Sequence, residues 1–120
     1  MIKVPPGRWI GFDLDGTLAT QKKGQIGIGK PVPKMVTLLR RYLKAGVWVK
    51  IFTARAHPSW LVYHIIKASQ YTPSGEVLEW LIKNQLPSTL EITCEKDAKM
   101  YRLYDDKAIQ VRKNTGRIVR

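Results

Sequence analysis

Four of the nine acidic residues stand in two close pairs, Asp13 with Asp15 and Asp105 with Asp106. Each pair ends a strand-like run, Arg8-Trp9-Ile10-Gly11-Phe12 in the first case and Tyr101-Arg102-Leu103-Tyr104 in the second. Carboxylates gathered at one place repel one another unless a cation lies between them. Oxygen-only ligands of this kind suit a hard ion such as Mg2+, which keeps some of its water and accepts phosphate oxygens. Asp13 and Asp15 are two residues apart, so on an extended backbone they project from the same side. One can then attack an electrophile while the other handles a proton. Gly16 permits a sharp turn directly behind them, and the Thr17 hydroxyl can bond locally to hold it. Aspartates also end strands as plain turn residues. A turn alone accounts for Gly16 and Thr17, but not for the return of the pattern after a second strand.

The elements that position these residues follow from apolar spacing. Residues 8–13 read as a short buried strand, and Val47-Trp48-Val49-Lys50-Ile51-Phe52 as another that ends at Thr53-Ala54-Arg55. Residues 19–30, with three glycines and Lys22 and Lys23, read as a flap loop. Pro31-Val32-Pro33 opens a helix whose stripe is Met35, Val36, Leu39, Tyr42 and Leu43, and Gly46 stops it. Pro58 is expected to start a second helix, and Thr72-Pro73 a third that buries Val77, Leu78, Leu81 and Ile82. Leu90 to Cys94 alternates as a strand, and residues 107–120 form a basic hairpin or tail turning at Asn114-Thr115-Gly116. Strands alternating with helices predict one α/β domain over residues 1–120, with a mostly parallel sheet and helices on both faces. The carboxylate pairs then share the edge of the sheet where open α/β folds bind ligands.

Together these segments resemble the motif set of the haloacid dehalogenase superfamily of phosphatases. Phe12-Asp13-Leu14-Asp15-Gly16-Thr17-Leu18 is similar to its first motif, and Ile51-Phe52-Thr53-Ala54-Arg55 to its second. Lys96 resembles the third-motif lysine, with Lys99 as the alternative, and Leu103-Tyr104-Asp105-Asp106 the fourth-motif acidic pair. The tail Asp-Asp-Lys-Ala-Ile-Gln-Val is similar to that of compact phosphatase-like proteins, including ones that bacteriophages encode. The resemblance implies a Rossmann-like three-layer sandwich. It implies Asp13 as nucleophile, Asp15 as acid and base, Thr53 as a donor to phosphate, and Lys96 as a cation stabilising transferred charge. It implies Mg2+ held by Asp13, the Asp15 carbonyl, Asp105 and Asp106, with Gly16, Thr17, Ala54 and Arg55 against the substrate. Of these, Arg55 could reach a second anionic group, although an arginine in a loop is more often a surface ion-pair partner. His57 and His64 are read as structural, His57 being the nearer to substrate.

Family members often carry a cap domain, but only the short flap stands between the first and second motifs. The expected site is therefore open to a bulky substrate. The formal net charge is +12, which attracts anions and points to a phosphate on a nucleotide or a nucleic-acid end. Lys22, Lys23 and Lys30 on the flap, and Lys107, Arg112, Lys113, Arg117 and Arg120 in the tail, are candidate contacts. Trp48 and Trp60 are candidates to stack a base, although such tryptophans are more often core. A non-catalytic phosphate- or nucleic-acid-binding module is the competing class. No run approaches the roughly 20 apolar residues of a membrane helix, and the N-terminal residues lack a signal-peptide core. Cys94 is the only cysteine, which excludes an intramolecular disulfide and favours a cytoplasmic setting.

Overall fold

The computed structural model describes residues 3–57 and 73–119. In chain order the elements are β1 (Trp9–Asp13), α1 (Pro33–Lys44), β2 (Trp48–Phe52), a 3-10 turn at Ala54–Ala56, α2 (Pro73–Lys83), β3 (Glu91–Thr93) and β4 (Met100–Tyr104). The strands make one sheet in the order β3-β2-β1-β4, and every pairing is parallel. β1 lies inside the sheet with strands on both edges, which is why its sequence is apolar on both sides of the pleat. Register does the positioning. Asp13 lies level with Phe52 of β2, and Phe12 level with Tyr104 of β4. The residues after these strands, Leu14-Asp15, Thr53-Ala54 and Asp105-Asp106, therefore leave the sheet at a common edge.

One face of the sheet carries the main core. Ile10 and Phe12 of β1 and Val49 and Ile51 of β2 join Val36, Leu39 and Tyr42 of α1 and Val77, Trp80 and Leu81 of α2 in a single cluster. α1 begins at Pro33, where the missing N–H costs nothing. It ends where Gly46 takes φ +77° and Val47 N–H bonds back to the Tyr42 carbonyl. In α2 the buried face is Val77, Trp80 and Leu81, whereas the expected Leu78 and Ile82 are exposed. Positions 77, 80 and 81 share a helical face, and Trp80 turns that face inward by donating its indole N–H to the Gly29 carbonyl at 2.8 Å.

Among the described residues, no helix covers the opposite face, where a helical layer is expected. Lys50 projects there, its ammonium 4.6 Å from the Trp9 ring centre and 4.8 Å from that of Trp48. Glu91 and Asp97 pair with it at 3.4 and 3.7 Å. The crossover from β3 to β4 contains no helix. It runs through residues 94–99 and is tied to β1 by Trp9, whose indole N–H donates to Asp97 (2.8 Å) and whose main-chain N–H donates to the Lys99 carbonyl (2.9 Å). The indole bond is the leading cause that holds the Asp97 carboxyl below its ordinary value. Trp48, a candidate to stack a base, instead donates its indole N–H to Glu91 at 2.9 Å, at the strand end remote from the carboxylates. Trp60, His64 and the helix expected from Pro58 lie outside the described residues.

Candidate active site

The turn after β1 is built from short-range bonds. Leu18 N–H donates to the Asp13 carbonyl, Thr17 and Ala19 N–H to the Leu14 carbonyl, and Gly16 N–H to the Ala19 carbonyl at 2.7 Å. Gly16 takes φ +89°, and a Cβ there would lie 2.5 Å from Asp106 Oδ2. Glycine is thus required twice, for backbone conformation and for the approach of the Asp106 carboxylate. Thr17 joins the two acidic pairs. Its Oγ accepts from Asp106 N–H at 3.1 Å and stands 3.4 Å from both Asp13 Oδ2 and Asp106 Oδ1.

Asp13, Asp105 and Asp106 each bring a carboxylate oxygen to within 4.8 Å of the other two. Burial, followed by the hydrogen bond with Asp106 and the charges of Asp105 and Asp106, pushes the Asp13 carboxyl up from 3.8 to about 7. Three carboxylate oxygens at this spacing are donors of the kind a hard divalent cation takes. The donor set is the only one of its kind among the described residues.

A cleft of about 510 Å³ opens at this edge, lined by Asp13, Asp15, Thr53, Ala54, Asp105 and others. Thr53 accepts from Arg55 N–H through its Oγ at 3.1 Å, which leaves its own proton to give to a ligand. Asp15 is held by Arg55. The guanidinium Nε donates to Oδ2 at 2.7 Å and Nη2 to Oδ1 at 3.0 Å, a two-point geometry that fixes the plane of the carboxylate. Arg55 also donates to the Ile26 carbonyl of the flap (3.0 Å) and reaches Glu76 of α2 at 3.4 Å. The flap is closed at its base by Thr20 N–H to the Lys30 carbonyl at 2.8 Å. Arg55 at Ile26 and Trp80 at Gly29 thus pin its C-terminal limb to the body.

Several expected site residues are therefore brought together: Asp13, Asp15, Thr53 and Ala54 at the cleft, with Asp105 and Asp106 beside Asp13. Others are placed differently. Arg55 is 2% exposed and bound to protein groups, so it orients Asp15 instead of meeting a second substrate anion. A buried guanidinium needs such partners, because leaving it unpaired is costly. Gly16 and Thr17 face a separate concavity with Asp106 and support the carboxylates from behind. Lys96 and Lys99 are exposed and do not line the cleft. Lys107 does, with His57, Gln21 and Cys94. Cys94 had a signal in the sequence, since it directly follows β3 at the same edge. Gln21 had none, because its place depends on the fold of the flap.

No family model, curated protein or solved structure matches this chain.

Proposed function

We propose that the protein is a Mg2+-dependent phosphomonoesterase built on the haloacid dehalogenase plan, with the cleft at Asp13 as its active site. The observation that carries this reading is the convergence of the Asp13, Asp105 and Asp106 carboxylates within 4.8 Å at a cleft that also holds Asp15 and Thr53. The order of the four motif-like segments, and the meeting of three of them at one sheet edge, supports the family assignment.

In this reading an Asp13 oxygen forms a bond to phosphorus as the bond to the leaving oxygen breaks, giving an aspartyl-phosphate. Asp15 gives a proton to the departing oxygen, then takes one from the water that attacks the phosphoaspartate and frees inorganic phosphate. Both Asp15 oxygens accept from Arg55, and each keeps a second lone pair to carry the proton. Thr53 directs its hydroxyl proton to a phosphate oxygen. Mg2+, held by Asp13, Asp105, Asp106 and the Asp15 carbonyl, supplies the positive charge that lets a carboxylate and a phosphate dianion meet. Lys107 is the lysine that lines this cleft, and its place suits contact with the phosphate or its neighbour.

The test is phosphate release from aryl phosphate, nucleoside monophosphates, sugar phosphates and end-phosphorylated oligonucleotides, with and without Mg2+. Wild type is expected to turn over at least one of them in a metal-dependent manner. Asp13→Asn is expected to lose roughly 10⁴-fold or more. A folded wild type that binds Mg2+ yet releases no phosphate from any of them overturns the reading.

A further inference from the structure

We propose that the C-terminal ribbon, residues 107–119, binds the backbone of a polynucleotide and leads its terminal phosphate to the cleft at Asp13. The binding half stands by itself; the delivery half rests on the phosphatase reading.

The ribbon is a built structure. Val111 pairs antiparallel with Ile118, Arg112 N–H donates to the Arg117 carbonyl at 2.7 Å, and Val119 N–H donates to the Gln110 carbonyl at 2.8 Å. The reversal is made by Asn114 at φ 65° and Gly116 at φ 73°, and Thr115 Oγ bonds to both the Arg112 carbonyl and Arg117 N–H at 3.0 Å. Yet every residue from Asp106 to Val119 is exposed. Ile109, Val111 and Ile118 are 72%, 54% and 55% exposed, and none of them joins the core cluster. Val119 is exposed as well, and a hairpin with four aliphatic side chains in water calls for a partner, since solubility alone would replace them with polar residues.

Charge identifies that partner as a polyanion. Val111 and Ile118 share one face of the ribbon, so their neighbours Arg112 and Arg117 share the other, directly across from one another. Like charges so placed repel. Arg112, Lys113 and Arg117 form no ion pair among the described residues, where the four such pairs are all made by Lys50 and Arg55. No acidic residue follows Asp106, and the chain carries +12, so a second copy of this surface is repelled. An anionic bilayer has the right sign, but residues 107–119 contain no tryptophan or tyrosine to anchor at its interface. A nucleic-acid backbone meets the basic face, and two-stranded ribbons are a shape that nucleic-acid grooves admit. Position agrees as well. The ribbon leaves the body immediately after Asp105 and Asp106, and Lys107 at its root lines the cleft.

The experiment compares wild type with the triple variant Arg112→Gln, Lys113→Gln, Arg117→Gln. Binding of a labelled, unphosphorylated oligonucleotide is followed by anisotropy across a salt series, and phosphate release is measured from end-phosphorylated oligonucleotide and from aryl phosphate. Wild-type binding is expected to weaken steeply with salt. The variant's log–log slope is expected to be shallower by about 2–3, at about 0.7–0.9 for each phosphate it no longer neutralises. Release from the oligonucleotide is expected to fall about tenfold or more at low salt, with release from aryl phosphate unchanged. Equal oligonucleotide binding by the two proteins overturns the proposal. So does tighter wild-type binding to phosphatidylserine vesicles than to the oligonucleotide. If wild type binds as expected but releases no phosphate from any substrate, the phosphatase reading and the delivery half fail and the binding half stands. If both proteins release phosphate from the oligonucleotide equally well, the delivery half fails and the phosphatase reading stands.

Discussion

Arg55 and Arg117 carry the same guanidinium into opposite surroundings. Arg55 is sealed between the flap, Asp15 and α2, and its donors are taken by two carboxylates and a carbonyl. Arg117 stands in water across a two-stranded ribbon from Arg112, with no carboxylate in reach among the described residues. A charge enclosed with partners holds architecture in place, because removing it strands the partners. A charge left outside without partners contributes little to the fold and is free to serve a ligand. The same division runs through the acidic residues. Asp97 is used by Trp9 and Lys50, whereas Asp13, Asp105 and Asp106 crowd one another with no cationic side chain paired to them among the described residues.

The largest effect is expected at Arg55. Arg55→Ala should cost about 3–5 kcal/mol, the loss typical of one partner removed from a buried pair, read from urea unfolding. Arg55→Lys should recover only part of it, since an ammonium cannot span both Asp15 oxygens. A loss no greater than that of a surface arginine would dissolve the contrast.

Gly16→Ala comes next. It places a methyl 2.5 Å from Asp106 Oδ2 at φ +89°, and it should weaken Mg2+ binding by about 10–100-fold, as loss of a ligand's support commonly does. Calorimetric titration with Mg2+ checks this without any substrate.

A third effect comes from Asp13. Its carboxyl is raised from 3.8 to about 7, so between those values the folded protein binds a proton that the unfolded chain does not. Metal-free protein should therefore lose stability as pH rises from about 4 to about 7, and Mg2+ should restore most above 7. Asp13→Asn should flatten this dependence and raise the metal-free melting temperature at pH 8. Thermal melts over the pH series, with and without Mg2+, decide it. The smallest effect is Arg117→Gln, for which the melting temperature should stay unchanged or rise slightly as the repulsion with Arg112 is relieved.

Much of this arrangement is legible in the residues. Strands that end in Asp13, Thr53 and Asp105 announce the sheet edge, because an apolar run can stop at a carboxylate only where water or a ligand waits. Asn114 and Gly116 announce the hairpin through their tolerance of positive φ. What stays hidden depends on residues distant in sequence. Nothing local to Arg55 says that Asp15, Ile26 and Glu76 will meet it, so by sequence it resembles an exposed loop cation. The buried face of α2 is misplaced because Leu78 and Ile82 are as apolar as Val77 and Leu81; only the Trp80 bond to Gly29 chooses between them. Lys50, inside an apolar strand, reads as a minor interruption, although it is the centre of the second face with Trp9, Trp48, Glu91 and Asp97.

The strand order also has a consequence for how the protein is made. β1 leaves the ribosome first, but one of its two edges pairs with β4, and Arg8 bonds to a carbonyl 92 positions further on. Until that late segment emerges, the nascent chain presents a strand of Trp9, Ile10 and Phe12 with an open hydrogen-bonding edge, a species prone to wrong pairing. The carboxylates of Asp105 and Asp106 arrive in the same late segment. The acidic cluster and the sheet are therefore completed together, and a chain broken before Met100 has neither.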